Sequence, residues 1–160
     1  MTVQEMKKLV CEAIDKNADN IIDVAESIFA EPELGYKEFK TAEKVKAVFD
    51  KLGFAYKDGI AITGVVATAP GGQHNAKVAV MGELDAVVCP EHRCADPETG
   101  AAHSCGHHAQ IASMLGVAYG LKDSGILPEL GGDVALMAVP AEEGVELEYR
   151  NDLMQQGKIS

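Results

Sequence analysis

Basic residues are scarce in this 160-residue chain: 14 Lys and Arg stand against 25 Asp and Glu, a net charge of -11. Attraction to nucleic acid phosphates or anionic lipid needs clustered Lys and Arg, so neither is an expected partner. Long apolar runs are missing as well. No stretch approaches the ~20 consecutive apolar residues that a membrane-spanning helix needs. The opening MTVQEMKKLVCEAIDKNADNII mixes charged and apolar residues, with neither the apolar core nor the small-residue cleavage site of a secretion signal. The expectation is a soluble, cytoplasmic protein whose partners are small molecules or other chains. The sequence also has no internal repeat and no low-complexity segment.

Cysteine is limited to Cys11, Cys89, Cys94 and Cys105. In a reducing compartment structural disulfides are rare, which leaves free thiols or metal ligands. Cys89, His92 and Cys94 in CPEHRCADPETG fit no common structural zinc spacing, and the stretch reads as a polar surface loop.

What is present is an ordinary globular composition, 47% hydrophobic and 24% charged, enough for one domain with a sizeable core. From Val3 to Phe29 apolar residues recur every three or four positions, which predicts an amphipathic helix with a bend at Asn17 to Asn20. Pro32 and Gly35 in EPELGY end it. A second helix is predicted from about Lys37 to Leu52, with Phe39, Ala42, Val45, Val48, Phe49 and Leu52 inward and Gly53 closing it. Ile60 to Ala69 and Lys77 to Leu84 are short and β-branched and read as strands. The unalternating VAVM suits a strand covered on both faces. A long loop from Val87 to Ala102, of a length that usually serves function, leads to a helix from His107 to Lys122. Asp133 to Val139 is a further strand, and ELEYRNDLMQQGKIS a last helix. This order points to an α/β layered domain.

Three polar clusters stand at the ends of predicted strands or the start of a helix, where open α/β sheets place ligands. In AHSCGHH, His103, Cys105, His107 and His108 gather three of the five histidines and a cysteine within six residues. Thiolate and imidazole suit zinc and its neighbours among the transition metals, and Gly106 lets the backbone turn between them. Glu142 and Glu143 follow the apolar strand DVALMAVP, where adjacent carboxylates are costly unless a cation or solvent reaches them. Hydrolytic metal sites need both an anionic ligand and a separate carboxylate base, and this pair offers both. Asp85, two residues after Glu83 in GELDAV, could hold a metal, orient a ligating imidazole or cap a turn. His74 and His92 lie in turn-like stretches and are expected in solvent.

Over nearly the whole chain these motifs resemble the metal-dependent amidohydrolases that include aminoacylases, hippurate hydrolase, auxin-conjugate hydrolases and related carboxypeptidases. AEPELGYKEFKTAEKVKAVFDKLGF resembles the family's opening turn between two helices. GELDAV resembles the segment carrying an essential aspartate, GAAHSCGHHAQIASMLGVAYGL the metal loop and helix, and VPAEEG the paired glutamates.

The resemblance implies a layered helix–sheet–helix, zinc-peptidase-like catalytic domain over residues 1–160, incomplete at its carboxyl end and without the dimerisation or lid domain. It implies Cys105, His107 and Glu143 as metal ligands, Glu142 as general base, Asp85 as an orienting catalytic residue, and His103 and His108 as site-lining. The expected cofactor is divalent zinc, manganese or cobalt, two ions in the complete enzyme. The expected reaction is hydrolysis of the amide bond of an N-acyl amino acid or small peptide by a homo-oligomer. His108 stands where the family commonly has Asp, and Glu83 where many relatives have another acidic or polar residue. After Glu143 the sequence has no histidine, so the chain reads as a fragment of such an enzyme. Two other readings stand beside this one: a non-catalytic metal-binding or self-assembling module, and a thiol enzyme with Cys105 activated by His107 or His108.

Overall fold

In the computed structural model, which describes residues 1–144 and 146–159, the amphipathic start forms two helices, α1 (Val3–Lys16) and α2 (Ala18–Phe29). Thr2 and Glu5 make a reciprocal capping box at the start of α1. The break falls at Asn17. Its side-chain amide donates to the Ala13 carbonyl at 2.9 Å and to Asp123 Oδ2 at 2.8 Å, so the bend is tied to the end of a distant helix. Helix α3 (Phe39–Leu52) buries Ala42, Val45, Val48, Phe49 and Leu52 and stops at Gly53. Phe39, the first residue of α3 and expected inward, is 56% exposed.

The strands are β1 (Tyr56–Ile60), β2 (Gly64–Ala69), β3 (Lys77–Glu83), β4 (Val87–Val88), β5 (Ala101–Ala102) and β6 (Asp133–Val139). The predicted strand from Ile60 to Ala69 is instead the second half of a hairpin: the chain reverses through Ala61 and Ile62, both at positive φ, and pairs β1 antiparallel with β2. The main sheet has the order β1-β2-β6-β3, with β2 antiparallel and β3 parallel to β6. Val65 and Ala67 of β2 and Leu136 and Ala138 of β6 join one core with Ile111 and Leu115 of α4 (His107–Asp123) and with α2 and α3. The α/β layered architecture is therefore as the sequence indicates. Strand β3 lies at the sheet edge, however, and Val78 and Met81 remain 61% and 60% exposed, so VAVM is not covered on both faces.

The loop after β3 is pinned at both ends by the β4–β5 pair and internally by Asp96, whose carboxylate accepts hydrogen bonds from Glu98 and Thr99. A last helix, α5 (Leu147–Gln155), follows the glutamate pair. No helix among the described residues is long and apolar enough to cross a membrane.

Candidate metal centre

Because β3 and β6 run parallel with Glu83 opposite Val139, both chains leave the sheet at the same end. Glu83 and Asp85 arrive there from β3, and Glu142 and Glu143 from β6. The start of α4 supplies the imidazole. Gly106, at φ +95° and just before His107, makes the turn that a side chain would resist, as its place in the motif suggested.

His107 is 4% exposed and both its ring nitrogens are engaged. Nδ1 lies 2.9 Å from the backbone carbonyl of Asp85, an atom that only accepts, so Nδ1 carries a proton and donates it. Nε2 then faces carboxylates: Glu83 Oε2 at 2.9 Å, Glu143 Oε1 at 3.5 Å and Glu142 Oε2 at 3.9 Å. Atoms of Glu83, His107 and Glu142 lie within 4.8 Å of one another, an arrangement able to hold a metal ion. Nε2 and these oxygens are all able to bind a cation, and a metal ion or a proton at Nε2 makes their close approach favourable.

Asp85 is fully buried behind the imidazole. Its Oδ2 accepts the backbone N–H of Glu143 at 3.0 Å, and its Oδ1 sits 3.3 Å from His107 Nδ1. Asp85 thus holds the ring through its backbone carbonyl and the segment bearing the glutamate pair through its carboxylate, whose Oδ1 has no hydrogen-bond partner among the described residues.

That segment has a second buttress. Glu38, fully buried, accepts the Ala141 N–H at 2.8 Å and the Thr63 hydroxyl at 2.6 Å. Burial pushes its carboxyl pKa up, partly opposed by these hydrogen bonds. Ala141 is held at φ 54°, a left-handed conformation costly for a residue other than glycine, directly before Glu142. Gly35 of EPELGY packs against it: a Cβ there would come within 2.9 Å of the Ala141 Cβ. Alongside, Leu34 bridges Ala86, and Glu33 caps α3 through the N–H groups of Lys40 and Thr41.

Cys105 is exposed at the rim, and its thiol pKa is pushed up to about 11 by hydrogen bonding to Glu143, then by burial and by the charges of Glu143, Glu142 and Asp85. A thiol held protonated in this way is a poor nucleophile, which weighs against the thiol-enzyme reading. His103, 4% exposed, has neither ring nitrogen hydrogen-bonded among the described residues, and burial followed by the charges of His108 and His107 lowers its pKa to about 4. Its ring lies 5.4 Å from that of His108, which lies 4.9 Å from Phe29; this pair stands outside the group around Nε2. His74 is not simply solvated, since Nδ1 is 2.7 Å from Asp133. His92 is half-buried and accepts the Cys94 N–H.

Of the sequence-derived candidates, the structure brings Asp85, Cys105, His107, Glu142 and Glu143 together. Sequence reasoning missed Glu38 and gave Glu83 no role, although Glu83 and Asp85, two apart at a strand end, share a side by simple alternation.

No family model matches the chain. The IAA-amino acid hydrolase ILR1-like 5 of Arabidopsis thaliana is 38% identical over 131 residues, 79% of this chain and 29% of the relative. Thermostable carboxypeptidase 2 of Saccharolobus solfataricus is 32% identical over 148 residues, 89% of this chain and 37% of the relative. In fold, the chain matches the crystal structure of the Bacillus subtilis YXEP protein, a dinuclear metal binding peptidase from the M20 family, with a TM-score of 0.69 at 24% identity, covering 89% of this chain and 41% of that one. The chain is thus similar in sequence to part of an amino-acid-conjugate hydrolase and of a carboxypeptidase, shares the fold of part of an M20-family peptidase, and spans about a third of the length of the curated relatives it matches.

Proposed function

We propose that this chain carries the metal-binding portion of a hydrolase that cleaves the amide bond of N-acyl amino acids or small peptides. The observation that carries the reading is the environment of His107, whose Nδ1 is committed to a backbone carbonyl while Nε2 points into carboxylates from β3 and β6. Three carboxylates around one buried imidazole repel one another unless a cation compensates, and together with the Cys105 sulfur the donor set suits divalent zinc, manganese or cobalt. In this reading Cys105, His107 and Glu143 hold the ion and Asp85 orients the ring. A second ion belongs to the complete enzyme. An ion so held would supply Lewis acidity to the scissile carbonyl and to the attacking water.

Glu142 is half exposed, so its carboxylate can reach substrate and solvent while its backbone is fixed from behind. It takes the proton from water and delivers it to the leaving amine, as a general base followed by a general acid. The names of the relatives support amide-linked amino-acid conjugates and peptides as the substrate class. Action in the cytoplasm and association of copies complete the reading; exposed Val78 and Met81 at the sheet edge favour association. A non-catalytic metal-binding or assembly module on the same scaffold is the second reading.

The test is hydrolysis of a panel of N-acyl amino acids with added zinc, manganese or cobalt, using this chain and a version extended to the length of its relatives. The extended version is expected to turn over and the 160-residue chain to do so barely. Glu142→Gln in the extended version should lower kcat by about 10² to 10⁴, the usual contribution of a general base. Metal binding without turnover by either version would favour the second reading.

A further inference from the structure

We infer that Glu83 is itself a ligand of the cation held on His107 Nε2, which makes the first-bound ion's site richer in carboxylate than the Cys105, His107 and Glu143 set. This inference rests on the proposed metal site and adds a residue to it.

Three observations carry it. Glu83 Oε2 is 2.9 Å from Nε2, nearer than Glu143 at 3.5 Å or Glu142 at 3.9 Å. Nδ1 is already spent on the Asp85 carbonyl, so Glu83 meets the ring at the nitrogen that ligates, whereas a residue that merely orients a ligating histidine meets the opposite one. Asp85 occupies that orienting place, and Glu83 is left without it. Finally, Glu83 is the last residue of β3, in register with Val139 of β6, so its position is set by the sheet. Its side chain is 23% exposed, which leaves it open on the side where an ion would enter.

The chemistry follows from the donor set. With Glu83 joining Glu143 at one imidazole, carboxylate donors outnumber nitrogen, and oxygen-rich sites suit manganese better than thiolate- and imidazole-rich sites do. Glu83→Gln should therefore weaken manganese more than zinc.

The experiment is titration of the full 160-residue chain with cobalt(II), manganese(II) and zinc(II), reading affinity by calorimetry and the coordination of cobalt by its visible absorption, with circular dichroism as a control of folding. Removing a group that only orients a ligand costs about 10- to 100-fold in metal affinity, so affinity alone does not decide. Glu83→Gln and Glu83→Ala are expected to lose at least that much and also to shift the position and intensity of the cobalt bands at saturation. A saturated spectrum identical to that of the unaltered chain would overturn the inference, whatever the affinity. His107→Ala separates this failure from that of the underlying site. If the unaltered chain binds no cobalt, or if His107→Ala binds it equally well, the site reading falls; if binding needs His107 but Glu83→Gln leaves affinity and spectrum unchanged, only the role of Glu83 falls.

Discussion

Replacing Glu38 by alanine tests whether a buried carboxylate holds the glutamate pair in place. Its two oxygens accept the Ala141 N–H at 2.8 Å and the Thr63 hydroxyl at 2.6 Å, with no exposure to water. Hydrogen bonds to an ionised group are worth about 1.5–3 kcal/mol each, so two give about 3–6 kcal/mol, from which the cost of burying the carboxylate must be subtracted. The remaining loss for Glu38→Ala is about 2–4 kcal/mol, a large share of the ~5–15 kcal/mol stability of a domain. Glu38→Gln keeps both contacts in a different form: its amide oxygen accepts from Ala141 and its amide nitrogen donates to the Thr63 oxygen. It should change stability by no more than about 1 kcal/mol at pH 7.

The pH dependence separates these terms. Burial raises the folded pKa of Glu38 above its ordinary value of 4.5, so the folded state binds the proton more tightly than the unfolded state. The stabilisation from this group is fully present below the unfolded pKa and is lost as pH rises through the folded pKa. Relative to the unaltered chain, Glu38→Gln should therefore gain stability as pH increases over that window. Urea unfolding followed by circular dichroism from pH 4 to 8 measures it. A Glu38→Ala loss below about 0.5 kcal/mol, or equal losses for Ala and Gln, would refute the argument.

Gly35→Ala introduces a Cβ 2.9 Å from that of Ala141, and the resulting overpacking should cost about 1–3 kcal/mol and weaken cobalt binding by displacing Glu142; unfolding and titration of one sample read both. In the metal-free chain, alkylation of Cys105 by iodoacetamide, followed by peptide mass spectrometry, should rise with pH towards a midpoint near 11, and Glu143→Gln should bring the midpoint down because Glu143 is the largest cause of the shift. A midpoint unchanged by that substitution would detach Cys105 from Glu143.

The helices were readable because their periodicity is local: the stripe from Val3 and the bend at Asn17 need only neighbouring residues to be seen. The β1–β2 hairpin was not, since its reversal passes through Ala61 and Ile62 at positive φ, where neither Gly nor Asn advertises a turn. Phe39 was placed inward by helical spacing alone, but spacing cannot show which turns of a helix are covered, and it is 56% exposed. The metal loop was legible from its density of ligand types. Glu38 was invisible because its partners lie 25 and 103 residues away, and nothing near it in sequence distinguishes it from a solvated helix-start acid.

The same limit explains why the acids of this site cannot be sorted by sequence but can be by burial. Asp85 and Glu38, both fully buried, each spend one oxygen on a backbone N–H, of Glu143 and of Ala141, and partly buried Glu33 accepts backbone N–H groups at the start of α3. A buried carboxylate without such donors would be too costly, so these three are committed to the frame. Glu83, Glu142 and Glu143 keep side-chain exposures of 23%, 50% and 23% and turn towards the Nε2 side of His107. The hydrogen-bonded backbone behind Glu142 and Glu143 limits the entropy lost when they close on a cation. The acidic excess of the chain thus has two uses at this end of the sheet: one set of carboxylates fixes the backbone, and the other is left free to bind.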